Sequence, residues 1–520
     1  MNTAYILIKK EGIFMKTSNV ELNPNRLVQH LNKPASEFTK DDIIRFIKDN
    51  GIKMLNFRYA GGDGRLKALT FVIRDEEHLD NLLSAGERVD GSSLFSYIEA
   101  DTSDLYVLPK YRTAFVNPFE EIPTLDILCS YFDKEGNPLK SSSETVMKKA
   151  TQILTEKTGY ELQAMGELEY YIIANKDEVN MGFPAVDQAG YHESNPFTKF
   201  DQLRKEAMMY VSEAGGKIKY GHSEVGNFTD DKYYYEQNEI EFETDSPESS
   251  VESLLIAKWM LRMLADQYGV VVSFAPKITV GKAGSGLHVH MKLLKDGKSV
   301  MVENGDVSNT AKRAMAGLLD VASGITAFGN RIPTSYLRLV PHQEAPTNIC
   351  WGDRNRSALV RVPLGWFSKG SSKMVAIANP NYDEEFREHS YKSTFEFRAA
   401  DPSADLYLLL AAFAVGIRHG FEMEDALEIA DKLYISVNIF KDEHKDRLAQ
   451  LEHLPASCYE SAQALKKQKD VFTQYDVFTE GMIDDSAKLL EAFDDDQLSE
   501  RLYGKNDEIK KLVDSFIHIA

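Results

Sequence analysis

The chain has 520 residues, with 60 lysines and arginines against 80 aspartates and glutamates, which gives a formal net charge of -20. This charge opposes general affinity for phosphate backbones and anionic membranes, so neither nucleic acid nor a membrane is an expected partner. The cysteines Cys129, Cys350 and Cys458 form no CxxC motif, which fits a reducing, cytoplasmic compartment.

The N-terminal region and the apolar runs predict a soluble protein. The run AYILI near the start is too short for the apolar region of a signal peptide. The run LYLLLAAFAVGI, beginning at Leu406, falls short of the ~20 residues that cross a bilayer. We expect residues 1–38 to form an N-terminal extension and a helix, and Met15 is a second candidate start.

Residues 39–135 have the pattern of a small α+β domain. The stretch DDIIRFIKDN predicts a helix, and MLNFRYA, KALTFVI and SDLYVLP predict strands. The turn-forming sequences GGDG and DGSS separate these runs.

Residues 136–520 are predicted to form one larger domain of mixed helices and strands. ETVMKKATQILTEKTG and VESLLIAKWMLRMLADQYG have apolar residues at helical spacing and end in glycine, and another buried helix is expected from Leu406. No repeat of solenoid period and no low-complexity linker divides this region.

Four predicted strands in the larger domain carry ionisable residues two positions apart, so that these side chains share a face. In any one strand, ionisable residues at this spacing more often mark the solvated face of an antiparallel sheet. Together, so many carboxylates imply a cation, and carboxylates with few imidazoles suit Mg²⁺ or Mn²⁺ better than structural zinc. The four stretches are GELEYYII with Glu167 and Glu169, QNEIEFE with Glu239, Glu241 and Glu243, GSGLHVHM with His288 and His290, and FEFR with Glu396 and Arg398.

The stretch SYLRLVPHQEAPTNICWGDRNRSALVRVP concentrates the arginines Arg338, Arg354, Arg356 and Arg361. Arginines beside a carboxylate metal site usually balance anions, although Arg354 also fits a surface salt bridge. Metals and arginines together suggest phosphoryl transfer. No P-loop motif is present, and Gly284 and Gly286 precede a strand, which excludes a P-loop or Rossmann nucleotide site.

The chain resembles the bacterial type I class of the glutamine synthetase family over nearly its whole length. The matching blocks are RVDGSSLFSYIEADTSDLYVLP, GELEYYI, HSEV, QNEIEF, APKITVGKAGSGLHVHM, SYLRLVPHQEAPTNICWGDRNRSALVRVP, FEFRAADPSADLYL and LPASCYESAQAL. The resemblance implies an α+β fold, with a small β-grasp-like domain and a large catalytic domain whose antiparallel sheet forms a funnel-shaped active site.

The resemblance also implies residue roles. One metal site would comprise Glu169, Glu224 and Glu239, and the second would comprise Glu167, His288 and Glu396. Glutamate and its phosphorylated intermediate would be bound by Gly284, Arg338, Glu344, Arg356 and Arg398, and ATP by His290, Arg356 and Arg361.

The implied reaction joins ammonia to glutamate in two steps. The γ-carboxylate of glutamate attacks the γ-phosphate of ATP, and ammonia then displaces phosphate from γ-glutamyl phosphate. Asp90 would hold ammonium and take its proton, Glu344 would close the site, and Arg356 would neutralise charge on the transferring group.

This sequence departs from the family pattern at several places. NFTDDKYYYE lengthens the segment between Glu224 and Glu239, and Ala283 replaces a common asparagine that helps hold glutamate. Thr394 stands where an arginine usually contacts ATP phosphates, although Lys292 or Lys392 could restore that charge. The tyrosine motif of adenylylation is not recognisable.

Two alternatives to ammonia ligation therefore stay open: a γ-glutamyl ligase that uses an amine or a polyamine, and a non-catalytic binding protein of the same family. By resemblance we expect a homododecamer of two hexameric rings, with active sites between subunits. The C-terminal stretch KKLVDSFIHIA is expected to dock on the opposite ring.

Overall fold

The structure is a computed structural model and describes residues 20–95, 98, 103–340, 345–364, 370–381, 393–437, 439 and 442–519. The chain divides into two compact units. The first unit takes residues 1–142, 202–218 and 252–268, and the second takes residues 143–201, 219–251 and 269–520. Two stretches of the large predicted domain, 202–218 and 252–268, thus belong to the first unit.

These stretches join the first unit because specific contacts hold them there. Arg112 donates two hydrogen bonds to the Glu252 carboxylate, at 2.7 and 2.8 Å. Arg58 lies over the ring of Trp259 at 4.0 Å, and Phe119 meets the same ring edge-on. The physical domain therefore does not follow a single cut in the sequence.

Helices alternate with strands in the first unit and dominate the C-terminal part of the second. Within the described residues the α-helices are α1 (Arg26–Leu31), α2 (Lys40–Asp49), α3 (Glu76–Ala85), α4 (Ser143–Thr158), α5 (Asp201–Glu213), α6 (Pro247–Gln267), α7 (Asn309–Asp320), α8 (Ala322–Gly329), α9 (Pro333–Arg338), α10 (Gly370–Ala378), α11 (Leu406–Glu422), α12 (Ala426–Lys432), α13 (Lys445–Leu448), α14 (Cys458–Lys467), α15 (Lys469–Thr473), α16 (Glu480–Glu491), α17 (Leu498–Arg501) and α18 (Asn506–Ser515).

The first unit is built on a six-stranded sheet of order β2-β1-β6-β4-β3, with β5 paired to β6. Strands β1 and β6 run parallel, and the other pairs are antiparallel. The three predicted strands are present. The strands are β1 (Met54–Ala60), β2 (Leu66–Val72), β3 (Glu87–Asp90), β4 (Asp104–Pro109), β5 (Phe115–Val116) and β6 (Thr124–Phe132).

One face of this sheet packs against helices in a continuous apolar core. Strand β1 is buried along its centre, and helix α2 contributes Ile43, Phe46 and Ile47 to the same core. Helix α1 adds Leu27 and Val28, so part of the predicted N-terminal extension is a core element of this unit. Residues 1–19, including Met15, lie outside the described residues.

The second unit contains a nine-stranded sheet of order β15-β16-β17-β11-β7-β9-β8, with β10 also paired to β7 and β12 to β11. Strand β7 pairs antiparallel with β9, β10 and β11, β11 pairs antiparallel with β12 and β17, and β16 pairs antiparallel with β17, whereas β15 and β16 run parallel. A two-stranded ribbon, β13 with β14, is separate. The strands are β7 (Glu161–Asn175), β8 (Ile218–Thr229), β9 (Tyr233–Phe242), β10 (Val271–Ser273), β11 (Leu287–Lys295), β12 (Lys298–Ser299), β13 (Val302–Glu303), β14 (Asp306–Val307), β15 (Trp351–Asp353), β16 (Val360–Val362) and β17 (Phe395–Phe397).

Helix α11 is strongly apolar and is almost entirely buried against its neighbours. Within the described residues, no single helix is long and apolar enough to cross a membrane. Among these residues, α11 and α12 taken together have the length and composition of a membrane span, but the chain bends by 110° between them. The side chains of Cys129, Cys350 and Cys458 are buried, and none of the three forms a disulfide with another described residue.

The C-terminal segment packs against its own chain. Ile517 and Ile519 contact an apolar cluster that contains Tyr171 and Phe228, and Ser273 Oγ donates to the Ile517 carbonyl at 2.6 Å. These two side chains are only partly buried there, and the docking of KKLVDSFIHIA on a second ring stays a prediction.

Asp42 organises the start of helix α2 and provides a pH-dependent test. Thr39 and Asp42 form a reciprocal capping box, and Lys33 and Arg45 also pair with the Asp42 carboxylate. Burial alone would raise the pKa of Asp42, but the hydrogen bonds from Lys33 and Thr39 outweigh it and lower the pKa to about 2. A lowered pKa in the folded state stabilises the fold at pH values above the ordinary aspartate pKa, and this stabilisation is lost as the pH falls towards 2.

We therefore expect Asp42→Asn to lower the free energy of unfolding by about 1 kcal/mol at pH 7, the usual cost of losing a cap. The difference from the wild type should shrink at pH 3, as measured by urea denaturation at both pH values. Asp49→Asn, at the C-terminal end of the same helix, is the control and should not destabilise, because its amide oxygen can still accept from His30 Nε2, which lies 2.9 Å from the Asp49 carboxylate, and because a negative charge at that end opposes the helix dipole. Equal losses for both variants, or a loss independent of pH, would contradict this account.

Candidate active site

A cavity of about 860 Å³ opens on the sheet of the second unit. Strands β7, β8, β9 and β11 supply most of its floor, and the segments after β15 and β17 supply arginines. Most of the ionisable residues singled out from the sequence line it, as does Gly284. The ionisable residues are Glu167, Glu169, Glu224, Glu239, Glu241, Glu243, His288, His290, Arg338, Arg356, Arg361 and Arg398.

The strand register brings these side chains together. Across β7 and β11, Glu167 lies opposite His288, and across β7 and β9, Glu169 lies opposite Glu239. Glu396 on β17 lies opposite His290. Because side chains alternate faces along a strand, this register places residues at a two-residue period on one face, as the sequence pattern predicted.

The first carboxylate group contains Glu224 and Glu239, with His222 between them. His222 Nδ1 is 3.9 Å from Glu224 Oε1, and His222 Nε2 is 3.7 Å from Glu239 Oε1. The three side chains offer ligand atoms within 4.8 Å of one another, a spacing that suits a metal ion. Glu169 lies nearby, with one oxygen accepting hydrogen bonds from the Gly286 amide at 2.8 Å and from Gln237 Nε2 at 3.0 Å.

The long segment between Glu224 and Glu239 forms a β-hairpin. Its turn is closed by Asp230, whose carboxylate accepts from the amides of Lys232 and Tyr233. The added residues extend strands β8 and β9 without separating the two glutamates, which both line the cavity.

Glu239 shows how unfavourable this cavity is for negative charge. Burial, followed by the negative charges of Glu167 and Glu169, raises the pKa of Glu239 well above the ordinary value. Such a cluster stays ionised only when a cation neutralises it.

The second carboxylate group is centred on Glu167. One Glu167 oxygen is 2.9 Å from His288 Nδ1, and the other is 2.8 Å from His290 Nε2. Burial would raise the pKa of Glu167, but the charges and hydrogen bonds of His290 and His288 lower it well below the ordinary value. Glu396 completes the group at 3.5 Å from His288 Nδ1 and 3.9 Å from His290 Nε2.

His290 lines the cavity but is buried. Its second ring nitrogen, Nδ1, lies 2.9 Å from Thr394 Oγ1, so both ring nitrogens have partners. Burial lowers the pKa of His290, but Glu167, together with the negative charges of Glu396 and Glu241, raises it, and the net shift of the pKa is upward. Glu167, His290 and Glu396 also have ligand atoms within 4.8 Å of one another.

Glu396 joins the carboxylate groups to the arginines. It is fully buried, and its two oxygens accept from Arg398 Nη1 at 2.5 Å and from Arg361 Nη1 at 2.9 Å. Arg338 donates to the Ala399 carbonyl at 2.8 Å, and its Nη2 lies 3.3 Å from His288 Nε2. Arg356 lines the same cavity and is exposed.

Neither Gly284 nor Gly286 has a positive φ, so backbone conformation does not explain these glycines. They are needed because other atoms lie close to the main chain at both positions. A Cβ atom at Gly284 would lie 2.5 Å from the Pro276 carbonyl oxygen and 3.0 Å from Arg338 Cγ. A Cβ atom at Gly286 would clash with the Arg338 guanidinium and would lie 2.9 Å from His288 Nε2. These glycines therefore let the Arg338 side chain pack directly against the main chain.

Some predicted site residues lie elsewhere or outside the described residues. Asp90 belongs to the first unit, whereas the cavity residues belong to the second. Its carboxylate accepts from Ser92 Oγ at 2.7 Å and Ser93 Oγ at 2.8 Å, and these hydrogen bonds lower the pKa of Asp90. Glu344 and Lys392 lie outside the described residues. Lys292 lines the cavity, and Arg354 is exposed beside Asp353.

The sequence reasoning missed several residues of this cavity. His222 stands two positions before Glu224, so the same alternation that selected the other residues could have found it. Lys219 forms an ion pair with Glu241 on the neighbouring strand, and Tyr191 and Tyr220 also line the cavity. No sequence periodicity marks Tyr191, because it lies in an irregular segment.

Two family models match the chain. The model described as "Glutamine synthetase, beta-Grasp domain" matches residues 51–134. The model described as "Glutamine synthetase, catalytic domain" matches residues 142–492. Together they cover both the first sheet and every cavity residue named above.

Curated relatives agree with these models. A glutamine synthetase of Clostridium saccharobutylicum is 27% identical over 440 residues, which cover 84% of this chain and 90% of the relative. One of Thermococcus kodakarensis is 29% identical over 421 residues, with 81% and 85% coverage.

Solved structures share the fold at lower sequence identity. A cryo-EM structure of Plasmodium falciparum glutamine synthetase superposes with a TM-score of 0.70 at 18% identity, covering 91% of this chain and 98% of that one. A structure described as "GmaS/ADP complex-Conformation 1" gives a TM-score of 0.68 at 18% identity, with 88% and 96% coverage. The matched models span well over half of the chain, and we conclude that it belongs to the glutamine synthetase family.

Proposed function

We propose that the protein ligates ammonia to the γ-carboxylate of L-glutamate at the expense of ATP, giving L-glutamine, ADP and phosphate. The observation that carries this proposal is the position of Glu396, which contacts His288 on one side and Arg361 and Arg398 on the other. A carboxylate floor for cations thus adjoins an arginine wall for anions, which is the arrangement that phosphoryl transfer to a carboxylate needs.

The residues present fit two divalent cations. Glu169, Glu224 and Glu239 would hold one, and Glu167, His288 and Glu396 would hold the other. His222 also has a ligand atom within 4.8 Å of Glu224 and Glu239, and His290 has one within 4.8 Å of Glu167 and Glu396. The oxygen-rich donor set favours Mg²⁺ or Mn²⁺. The raised pKa of Glu239 shows that its ionised form is unfavourable in the cavity without a neighbouring cation. When bound, such ions neutralise negative charge on the phosphates.

The protein's own residues would bind and orient the substrates. Arg338 is fixed by main-chain carbonyls beside Gly284, so it would hold a carboxylate of glutamate at a defined place. Arg398, and Arg356 at the cavity wall, would neutralise the charge of the transferring phosphoryl group and of γ-glutamyl phosphate. Arg361 lines the cavity and would contact ATP, together with His290 and Arg356.

The acceptor step would use two residues outside the set of described residues that line the cavity. We propose that Asp90 holds ammonium and removes its proton, and that Glu344 closes the site. Hydrogen bonds from Ser92 and Ser93 keep Asp90 ionised and oriented. Since Asp90 lies in the first unit, a site shared between neighbouring subunits of a homododecamer of two hexameric rings would supply it.

A γ-glutamyl ligase that uses a larger amine is the second candidate. Tyr191 and Tyr220 line the cavity, and each keeps nearly half of its surface exposed, at 48% and 45%. Aromatic faces beside carboxylates attract alkylammonium groups, so these two residues favour an amine over ammonia. Asp90 supports ammonia instead, and the acceptor test below separates the two.

The electrostatic conflict at Glu239 predicts opposite effects of one substitution with and without metal. In metal-free protein, Glu239→Gln relieves repulsion, so it should raise the melting temperature, on the order of 2 °C. In the wild type, saturating Mg²⁺ or Mn²⁺ should raise the melting temperature, because an ion that binds only the folded state stabilises it. The variant should lose at least half of that increase.

Glu243→Gln is the matched control for Glu239→Gln, because Glu243 is an exposed residue at the cavity rim, just past the end of strand β9. Its response to metal should equal that of the wild type. The measurement is thermal denaturation after chelator treatment, with and without added metal. A full metal response in Glu239→Gln would contradict the ligand role of Glu239.

The acceptor test is steady-state phosphate release with ATP, Mg²⁺ or Mn²⁺ and glutamate, with ammonium, hydroxylamine, methylamine or a polyamine as acceptor. We expect turnover with ammonium to exceed that with methylamine or the polyamine. Glu396→Gln should lower it by about a hundredfold or more, since the isosteric amide cannot balance Arg361 and Arg398. Turnover with a larger amine alone would establish the second candidate, and no turnover with any acceptor would overturn both.

A further inference from the structure

We propose that His222 binds the first cation through Nε2, and that this imidazole makes the site select Mn²⁺ over Mg²⁺. The inference rests on the proposed function of the cavity, because it concerns the cation that Glu169, Glu224 and Glu239 would hold. It adds a nitrogen ligand to that carboxylate set, and with it a preference between two ions.

His222 lies in the cavity wall beside two of these carboxylates. It lines the cavity, and 13% of its side chain is exposed. Its Nε2 is 3.7 Å from Glu239 Oε1, and all three side chains offer ligand atoms within 4.8 Å of one another. Two ligand atoms about 2.1 Å from one octahedral ion lie about 3 Å apart when adjacent and about 4.2 Å apart when opposite. The distance from Nε2 to Glu239 falls between these limits, so one ion can contact both atoms.

The other ring nitrogen of His222 has the partner that is typical of a metal-binding histidine. Nδ1 lies 3.0 Å from the Ser223 carbonyl oxygen, which can only accept, so Nδ1 carries the hydrogen. In the neutral ring the lone pair is then on Nε2, the atom nearer Glu239. Metal-binding histidines almost always donate from their second nitrogen to a carbonyl, a carboxylate or water. This hydrogen bond is independent of the surrounding carboxylates, and it also indicates Nε2 as the ligand atom.

Neighbouring rings fix the plane of the His222 imidazole. The centroid of the His192 ring lies 4.2 Å from that of His222, and the Tyr191 ring meets His222 edge-on at 5.4 Å. Tyr191 in turn stacks on His192 at 4.3 Å. Packing of this kind holds a metal ligand in one orientation.

The segment that carries these two rings is tied to strand β8 at Ser223. The His192 amide donates to the Ser223 carbonyl at 3.0 Å, and Ser223 Oγ lies 2.7 Å from the carbonyl oxygens of Gly190 and Glu193. Ser223 is buried, so these hydrogen bonds are shielded from water. The imidazole is therefore oriented before an ion binds, which lowers the entropic cost of coordination.

The nitrogen ligand distinguishes between two ions that carboxylates accept equally well. Carboxylate oxygens suit both Mg²⁺ and Mn²⁺. Imidazole is a softer ligand, so it adds more to the affinity for a transition-metal ion than for Mg²⁺, a hard cation that prefers oxygen. The first site should therefore bind Mn²⁺ more tightly than Mg²⁺, and the difference should depend on His222.

The decisive variant is His222→Gln, in which a side-chain amide replaces the imidazole. The measurement is a titration of chelator-treated protein with Mn²⁺, with free Mn²⁺ followed by electron paramagnetic resonance, alone and in competition with Mg²⁺. We expect the ratio of Mn²⁺ affinity to Mg²⁺ affinity to fall about tenfold at the affected site. Glu239→Gln should weaken the binding of both ions by similar factors, because a carboxylate oxygen serves either ion, and should leave the ratio close to that of the wild type.

Nitrogen coordination is measured separately, by electron spin echo envelope modulation of the bound Mn²⁺. The nitrogen modulation should be shallower in His222→Gln than in the wild type, with the remainder arising from His288 at the second site. His192→Phe is the matched control, because it keeps an aromatic ring against His222 and removes only the neighbouring imidazole. Its nitrogen modulation should equal that of the wild type.

The outcomes distinguish this inference from the proposed function. Unchanged nitrogen modulation or an unchanged affinity ratio in His222→Gln would overturn the role of His222 alone, since three carboxylates would still hold the ion. Wild-type crystals grown with Mn²⁺ need no variant: an ion within about 2.3 Å of His222 Nε2 would support the inference, and one farther than about 3 Å would overturn it. Wild-type protein that binds neither ion would overturn the two-cation site and this inference with it.

Discussion

The convergence of carboxylates in one partly closed cavity is the constraint on which the rest of this site depends. Glu167, Glu169, Glu224, Glu239 and Glu396 are brought together by strand register, and burial makes their mutual repulsion strong. Two histidines contact the Glu167 carboxylate, and two arginines donate hydrogen bonds to the Glu396 carboxylate. In the part of the chain that the structure describes, the basic side chain found within 4 Å of the Glu239 carboxylate is His222. The fold thus keeps a deficit of positive charge that divalent cations would fill.

The surrounding structure holds this arrangement rigid. Antiparallel pairing fixes which side chains face the cavity, and a shift by one residue would turn each set to the opposite face. The glycines at 284 and 286 allow Arg338 to pack against the main chain, and Arg338 in turn is fixed by the carbonyls of Ala399 and Ala400. Such preorganisation lets charged groups act without reorganising when charge moves in the reaction.

The sequence predicted the parts of this site that follow from local periodicity. The strands that carry Glu167, Glu239, His288 and Glu396 were identified from alternation, and the structure places them side by side. His222 obeys the same rule and was overlooked. The extent of the β8–β9 hairpin was not foreseen, because its turn depends on Asp230 capping two amides rather than on glycine or proline.

Other features depend on contacts between distant segments, which periodicity does not encode. The assignment of residues 202–218 and 252–268 to the first unit follows from pairs such as Arg112 with Glu252. The packing of Ile517 and Ile519 within the second unit, and the contact of Gln188 with Ala283, likewise join segments far apart in sequence. Residue type alone gives no reason to connect them.

The most direct test of the two-cation site is a crystal structure with Mn²⁺ and an ATP analogue, with the ions located by anomalous scattering. The account predicts two strong peaks in the cavity, one among Glu169, Glu224 and Glu239 and the other among Glu167, His288 and Glu396. A cavity without Mn²⁺ peaks, or with ions bound away from these carboxylates, would contradict it.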